Sequence, residues 1–202
     1  MGRSSIYGVG VNDWYTVCFY INKDGKKKPI KEVVLWRAML SRCYSEYTKS
    51  VRPTYKEVCC EDSWLYMSGF ISDVSQLHGY EKAFTDDWVL DKDILVKGNK
   101  LYSKETCCFV PKEVNGCFTL RTQHRGSYPI GVSKKENGRF VARCGHNGKR
   151  VVIGTFDTAE QAFDAYKLTK KKEILRLAEK YRGVVDDRVY QALLNYEISI
   201  ED

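Results

Sequence analysis

The chain has 202 residues, of which 43% are hydrophobic and 13% aromatic, and it carries a formal net charge of +7. This composition is typical of a packed protein and excludes a disordered or low-complexity chain. No apolar run approaches the roughly 18 residues that a membrane span requires, and the N-terminus has no apolar signal core. We therefore expect a cytoplasmic protein with no membrane partner, and the basic balance favours a polyanionic partner.

The positive charge is concentrated in one later segment. Residues 121–182 contain 15 Lys or Arg and 6 Asp or Glu, whereas residues 1–120 contain 17 basic and 15 acidic residues. Residues 183–202 are acidic, with one basic and five acidic residues. The basic segment is therefore the candidate for contacts with a phosphate backbone, and an ordinary solvated basic surface is the alternative.

Eight cysteines raise the question of disulfides or a metal site. The chain has no signal peptide and is too long to need disulfide bridges, so we expect reduced thiols. Zinc sites usually contain CxxC pairs, but the pairs here are adjacent, at Cys59-Cys60 and Cys107-Cys108. Adjacent residues on a strand point to opposite faces, so both rarely bind one ion. Buried thiols are favoured, and a zinc site built from two distant segments stays open.

Hydrophobic periodicity predicts a first part that mixes short strands with two helices. The apolar faces of the helices contain Val34, Leu35, Ala38, Met39 and Cys43 in one case, and Trp64, Met67, Phe70, Ile71 and Val74 in the other. The predicted elements in chain order are a strand over Trp14–Ile21, a turn over Asn22–Gly25 leading to a possible second strand, a helix over Lys31–Tyr47, a helix over Trp64–Leu77, a strand or turn over Trp88–Leu95, a loop over Gly98–Ser103, a strand over Cys107–Pro111 and a short helix near Val114.

The pattern after a linker at 123–129 predicts a three-stranded antiparallel sheet with one helix packed on a face. Strands are predicted over Ile130–Lys135, Arg139–Cys144 and Arg150–Phe156, and a helix capped near Thr158 is predicted to run to about Tyr181. The face opposite the helix would be left open and would carry Lys135, Arg139, Arg143 and Arg150. Such a sheet is thin enough to enter the DNA major groove, where Arg and Lys bind bases and phosphates.

The same segment resembles the DNA-binding domain of plant apetala and ethylene-response factors. The resemblance lies in Ile130-Gly-Val, in the turn Asn137-Gly138 with Arg139-Phe140, and in the run from Val152 to Ala162. It implies that the sheet reads the major groove through Ile130, Ser133, Lys135, Asn137, Arg143, Gly145, Arg150 and Val152. Arg143 replaces an acidic residue of the family and no Trp lies on the sheet, which favours non-specific or differently specific binding. The candidate DNA-contacting residues are Ser133, Lys134, Lys135, Asn137, Arg139, Arg143 and Arg150.

The first part resembles phage-encoded proteins of the HNH homing endonuclease family, which often carry an apetala-type domain after the nuclease domain. The resemblance lies in Trp36, Met39, Arg42 and Tyr44, in Leu90-Asp-Lys-Asp-Ile-Leu95, in Gly98-Asn-Lys, and in Cys108-x-Val-Pro111 with Asn115. It implies an α+β protein with a small HNH-like, ββα-metal-like domain over 1–120, an apetala-type domain over 121–182 and a C-terminal extension over 183–202. It also implies the cytoplasm of a bacterial host as the location.

The catalytic residues of an HNH nuclease are only partly matched. The chemistry needs a His that activates water and a divalent metal beside the scissile phosphate. The resemblance places Asp91 at a metal-ligand position and Lys92 at the position of the general-base His, with Asn99 and Asn115 as orienting groups. Because a Lys is protonated at pH 7, it is a poor base. Asp91 and Asp93 flank one residue of a predicted strand, so they would share a face and could bind Mg²⁺.

Three functions follow from these observations. The first is a phage-type protein whose C-terminal sheet docks on double-stranded DNA and whose HNH-like domain does not cleave it. The second is an active Mg²⁺-dependent homing endonuclease that uses Asp91, Lys92 and Asn99 as catalytic residues and Asp91 and Asp93 as metal ligands. The third is a phage protein that binds and inhibits a host defence or replication protein through its basic face.

Overall fold

The chain divides between Val110 and Pro111 into two units in a computed structural model that describes residues 5–14, 18–118, 128–146 and 148–200. Both units combine helices with small β-sheets, which is the expected α+β class. The division precedes the predicted boundary at 120, and the predicted extension after residue 182 belongs to the second unit. Among the described helices, none has the length and apolar character needed to cross a membrane.

The first unit begins with a β-hairpin. Strand β1 (Phe19–Ile21) pairs antiparallel with β2 (Lys27–Pro29) across the predicted turn, in which Gly25 adopts a φ of +72°. A positive φ favours glycine because it has no Cβ. The strand that we predicted from Trp14 begins only at Phe19 in the described residues, and residues 15–17 of that prediction lie outside them.

The predicted helix over residues 31–47 is divided in two by Ser45. Helix α1 (Lys31–Tyr44) ends where Ser45 takes an extended backbone, and the Ser45 side chain accepts the N–H of Thr48 at 3.2 Å to cap α2 (Glu46–Val51). We predicted Val34 on the apolar face of this helix, but Val34 is exposed and Val33 is buried instead. The buried face of α1 consists of Val33, Trp36, Met39, Leu40 and Cys43.

The apolar face predicted around Trp64 is buried as expected. The segment starts as a 3-10 turn over Asp62–Leu65 and continues as helix α3 (Met67–Val74), which is shorter than the predicted helix. The indole N–H of Trp36 donates to the Trp64 carbonyl at 2.8 Å, so the two helices are joined by a hydrogen bond inside the core. Trp36, Trp64 and Trp88 are buried, whereas Trp14 is only half-buried.

The remaining strands of the first unit form two small sheets. The segment that we predicted as a loop over residues 98–103 contains a strand, because its backbone pairs in parallel with a distant cysteine pair. The elements are β3 (Cys59–Cys60), α4 (Lys82–Thr85), β4 (Val89–Asp91), β5 (Leu101–Tyr102) and β6 (Cys108–Val110), with β3 parallel to β5 and β4 antiparallel to β6.

The second unit contains the predicted sheet and its helix. The strands β7 (Val132–Lys134), β8 (Phe140–His146) and β9 (Lys149–Phe156) form an antiparallel sheet in that order. Helix α6 (Ala159–Lys180) packs on it and begins at a capping box formed by Thr158 and Gln161. The predicted linker at 123–129 lies outside the described residues except for 128 and 129.

Two further helices flank α6. In α5 (Lys112–Phe118), Glu113 accepts hydrogen bonds from Arg176, Lys180 and Tyr181 of the α6 region. Beyond α7 (Asp187–Asn195), the carbonyl of Tyr196 accepts a bond of 2.9 Å from Lys171. The acidic C-terminal segment is thus held on α6 by hydrogen bonds.

All eight cysteines lie in described segments and carry reduced thiols. Five of them are buried, while Cys59 is exposed beside its buried neighbour Cys60, as the alternation of a strand requires. Within the described residues, no group of three or more His, Cys, Asp or Glu side chains could hold a metal ion.

Candidate nucleic-acid interface

Strand register places four of the predicted DNA-contacting residues on one face of the β7–β9 sheet. Ser133 pairs with Val141, and the N–H of Lys135 continues the ladder to the Arg139 carbonyl at 2.8 Å. Because side chains alternate along a strand, Ser133 and Lys135 share a face with Arg139 and Arg143. We call this surface the basic sheet face; Arg150, opposite Gly145, belongs to it as well.

Arg143 is held in a defined position on this face. Its guanidinium donates to the Ser133 hydroxyl at 2.7 Å, and its backbone N–H donates to the Gly131 carbonyl at 2.8 Å. A β-bulge after Ala142 shifts the register, so that Arg143 faces Val152 on the neighbouring strand. A cation fixed in this way loses less side-chain freedom when it binds a ligand.

The other cations of the basic sheet face differ in the hydrogen bonds and ion pairs that they form. Lys135 donates to the Thr155 hydroxyl at 3.0 Å, whereas Arg139 forms an ion pair of 2.9 Å with Asp157. Arg150 is exposed at the opposite end of the sheet. Lys135, Arg143 and Arg150 form no ion pair with any described residue, so the face keeps most of its positive charge.

Two predicted contact residues do not lie on the basic sheet face. Lys134 pairs with Phe140 and alternates to the other side, where its ammonium lies 5.8 Å from the Phe140 ring centroid. Asn137 lies in the β7–β8 turn, and its side-chain oxygen accepts the N–H of Arg139 at 3.2 Å. Asn137 therefore shapes the turn, and Lys134 is left as an exposed cation outside the face.

The opposite side of the sheet is covered by α6, which supports the strands. Ala142 and Cys144 are buried there, as are Phe163 and Tyr166 of the helix. The alternation along β8 that puts Arg139 and Arg143 on the basic sheet face puts Ala142 and Cys144 on the side of α6. Because packed interiors resist deformation, the basic sheet face is presented by a rigid support.

A buried acid that we did not identify from the sequence ties the β8–β9 turn to α6. Glu173 lies 2.8 Å from the imidazole Nδ1 of His146 and accepts the Arg176 Nε–H at 3.0 Å. The Arg176 hydrogen bonds lower the pKa of Glu173, burial opposes them, and His146 adds to the lowering. His146 is the last residue of β8. Its register two residues after Cys144, on the helix side, was the available signal.

The Asp91 segment of the first unit is a bend rather than a continued strand. Strand β4 ends at Asp91, whose carboxylate accepts the backbone N–H groups of Asp93 at 2.7 Å and Ile94 at 2.9 Å. The prediction that Asp91 and Asp93 flank a residue within a strand is therefore wrong, because the chain turns at once. Burial raises the pKa of Asp91, and the two backbone hydrogen bonds only partly oppose this rise.

Lys92 is buried within a closed set of hydrogen bonds and is only 4% exposed. Its ammonium donates to the Asp93 carboxylate at 2.6 Å and to the Asn99 carbonyl at 2.5 Å. The Asn99 amide donates in return to the carbonyls of Lys92 at 2.9 Å and Leu101 at 2.6 Å. The hydrogen bonds of Lys92, Asp93 and Asn99 thus fix the conformation of the loop after β4.

The proposed catalytic residues are thus brought together, but with their polar groups directed at one another. A general base needs an available lone pair, and an ammonium donating to two acceptors has none to offer. Asn115, the remaining orienting candidate, lies in α5 of the second unit, where its N–H donates to the Pro111 carbonyl.

Comparison with protein-family models, curated proteins and solved structures finds no match to this chain.

Proposed function

We propose that the protein binds double-stranded DNA through the basic sheet face, as a phage-type relative of HNH homing endonucleases. The observation that carries this proposal is the shared face of Lys135, Arg143 and Arg150, which have no described acid to neutralise them. Unpaired cations on one flat surface release counterions from DNA when they bind phosphates, and this release drives association.

The shape of the sheet supports docking in a groove. Three strands form a layer thin enough for the major groove, and α6 lies on the other side of the sheet, where it does not obstruct the approach. Arg143, oriented by Ser133, is suited to a bidentate contact with a guanine edge, while Lys135 and Arg150 are suited to phosphates. One oriented Arg suited to a base, among cations suited to phosphates, favours weak sequence preference.

We infer that the first unit does not cleave the DNA. The salt bridge of Lys92 to Asp93 occupies the groups that would serve as base and metal ligand, and Asp91 is engaged by backbone N–H groups. The relation to HNH proteins with a degenerate centre rests on the resemblance of the segments around Asp91 and Cys108, which pair as the antiparallel strands β4 and β6.

The test is a titration of a labelled duplex at about 50 and about 200 mM salt, with and without Mg²⁺. We expect salt-dependent binding without cleavage. The variant Arg143→Gln/Arg150→Gln should bind more weakly and lower the salt slope by about 0.9, the share of the phosphate contact of Arg150, while loss of the Arg143 contact to a base should lower the affinity and the sequence preference.

The matched control is Lys134→Gln, which removes one cation from the same sheet but from the opposite face. It should change the affinity and the salt slope much less than Arg150→Gln alone. Equal losses from the two single variants would contradict the proposed face, and cleavage in Mg²⁺ would contradict the inactive centre. Absence of duplex binding would refute the function and leave a host-protein partner to be sought.

A further inference from the structure

A second unpaired basic surface lies in the first unit, on the hairpin of β1 and β2. We call residues 19–29 the lysine hairpin. Four lysines and a single acid occupy its second half and tip, namely Lys23, Lys26, Lys27, Lys28 and Asp24. All four lysines are exposed, and none forms an ion pair with a described residue. The carboxylate of Asp24 accepts instead from the Asn22 amide at 3.3 Å.

The tip of the lysine hairpin is held by its own hydrogen bonds. The side-chain oxygen of Asn22 accepts the N–H groups of Asp24 at 3.2 Å and Lys26 at 2.8 Å. The N–H of Asn22 donates to the Lys26 carbonyl at 2.9 Å, which closes the ladder before the turn. The lysines therefore lie on a hydrogen-bonded β-ribbon rather than on an irregular loop.

One face of this ribbon combines an aromatic ring with flanking cations. Register places Tyr20 directly opposite Lys28, and the Asn22–Lys26 pair puts Lys26 on the same face. Tyr20 is 53% exposed. Ile21 alternates to the opposite face with Lys27, whose ammonium lies 4.5 Å from the Phe19 ring centroid.

We propose that the lysine hairpin binds single-stranded DNA, with a base stacked on Tyr20 and the flanking phosphates held by Lys26 and Lys28. Proteins that bind unpaired strands combine an aromatic platform with a positive track for the backbone. In a duplex the base faces are covered by their neighbours, so the Tyr20 ring would have no partner there. This role is separate from the duplex binding proposed for the second unit.

The same hairpin is poorly suited to a lipid surface. Its two exposed apolar residues, Tyr20 and Ile21, lie on opposite faces, and the tip between the strands is polar. A membrane-binding element needs its apolar residues together on one side. The exposed Tyr20 ring and the neighbouring lysines therefore favour a polyanion that also carries flat apolar rings.

The test uses the full chain and a labelled oligothymidylate of about 16 nucleotides, followed by fluorescence anisotropy. Tyr20→Ala should weaken binding about tenfold, because stacking of one base is lost, and Tyr20→Phe should keep most of the affinity. The experiment is repeated in the Arg143→Gln/Arg150→Gln background, so that binding by the basic sheet face cannot mask the change.

Two further variants complete the test. Lys26→Gln/Lys28→Gln should lower the salt slope for the single strand by about 1.4, at about 0.7 per phosphate contact. Tyr47→Ala is the matched control, since Tyr47 lies in α2 of the same unit and is 76% exposed, and it should leave the affinity unchanged.

The proposal is overturned by unchanged affinity in Tyr20→Ala in the background that lacks Arg143 and Arg150. It is equally overturned if Tyr20→Ala weakens duplex and single-strand binding by the same factor, or if it affects only binding to anionic lipid vesicles. The duplex titration of the wild-type protein is a separate measurement, so the basic sheet face can fail while the lysine hairpin succeeds, and the reverse.

Discussion

The loop after β4 and the basic sheet face are both charged, yet they use their charges in opposite ways. In the loop, Lys92 is buried and donates to Asp93 and Asn99 within the same few residues. On the sheet, Lys135 and Arg150 form no ion pair with the described residues and lie at the surface. The first arrangement stabilises a fold, whereas the second leaves charge available for a partner.

This contrast shows why residue type alone is a weak guide to a functional site. The Asp, Lys and Asn side chains that match the nuclease pattern are hydrogen-bonded here to groups of their own loop, most of them backbone N–H and carbonyl groups. A hydrogen-bonded buried group contributes to stability, and it can act on a substrate only if those bonds are broken first. On the basic sheet face, Lys135 and Arg143 donate to hydroxyl groups rather than to acids, so their charge is not neutralised.

The largest effect that we expect comes from the turn that positions the basic sheet face. Gly131 adopts a φ of +78°, and a Cβ at this position would overlap the Tyr166 ring. Gly131→Ala should therefore destabilise the second unit by about 3 kcal/mol, as strain and overpacking combine. The loss of stability is measured as faster hydrogen exchange of peptides from β8, followed by mass spectrometry.

Gly138→Ala is the control for this change. Gly138 has a φ of +84° but open space around its Cβ position, so only the backbone strain remains and the cost should be about 1 kcal/mol. Equal exchange rates in the two variants would show that Tyr166 does not constrain the turn.

The second prediction concerns the closed loop of the first unit. Lys92→Met keeps an unbranched side chain one atom shorter and leaves the Asn99 carbonyl and the Asp93 carboxylate without their donor. We expect a loss of about 2 kcal/mol in the free energy of unfolding, with Asp93 partly compensated by solvent because its side chain is 47% exposed. Urea unfolding followed by tryptophan fluorescence measures it, since all four tryptophans lie in this unit.

Lys56→Met removes an exposed lysine of the same unit and should leave the urea midpoint nearly unchanged. If Lys92→Met also left the urea midpoint unchanged, the buried ammonium of Lys92 would not stabilise the first unit. The contrast drawn between the loop after β4 and the basic sheet face would then be wrong. Duplex binding should survive in both variants.

The third prediction is a loss of stability in acid that depends on Glu113. Burial raises the pKa of this carboxyl, but the hydrogen bonds from Lys180, Arg176 and Tyr181 outweigh it and lower the pKa to about 2. A lowered pKa means that the stabilisation is present above the ordinary value of 4.5 and is lost as the pH falls towards 2.

Thermal unfolding by circular dichroism tests this prediction. Glu113→Gln should lower the melting temperature at pH 7, and its difference from the wild type should shrink between pH 4.5 and 2. A constant difference over this range would show that protonation of Glu113 does not weaken the packing of α5 on α6.

The smallest expected effect distinguishes two arginines within the basic sheet face. Arg139 already pairs with Asp157, so part of its charge is neutralised before DNA arrives. Arg139→Gln should weaken duplex binding by no more than about twofold, whereas Arg150→Gln should have the larger effect and lower the salt slope by about 0.9. A larger effect of Arg139 would mean that DNA displaces Asp157.

The sequence was informative where signals are local. The turns at Asn22–Gly25 and Asn137–Gly138, and the cap near Thr158, predicted the hairpins and the start of α6 because each depends on a few neighbouring residues. The break at Ser45 was missed, although Ser is a common helix cap, because the apolar periodicity continues past it.

Contacts between distant residues could not be predicted in this way. The pairing of β3 with β5 joins Cys59 to Leu101, and no pattern within either segment announces it. The same holds for Glu173, which meets His146 only because α6 packs on the sheet. At the candidate site, composition identified the cations, but only the register showed that Lys134 lies off the face.

The pairing of β3 with β5 also has a consequence for the order in which the chain folds. Its two partners are far apart along the chain, so a long loop must close before they meet, and loop closure costs entropy that slows folding. The strands β7, β8 and β9 follow one another directly, so each strand pairing in that sheet closes only a short loop. We expect the β7–β9 sheet to form earlier than the pair of β3 and β5.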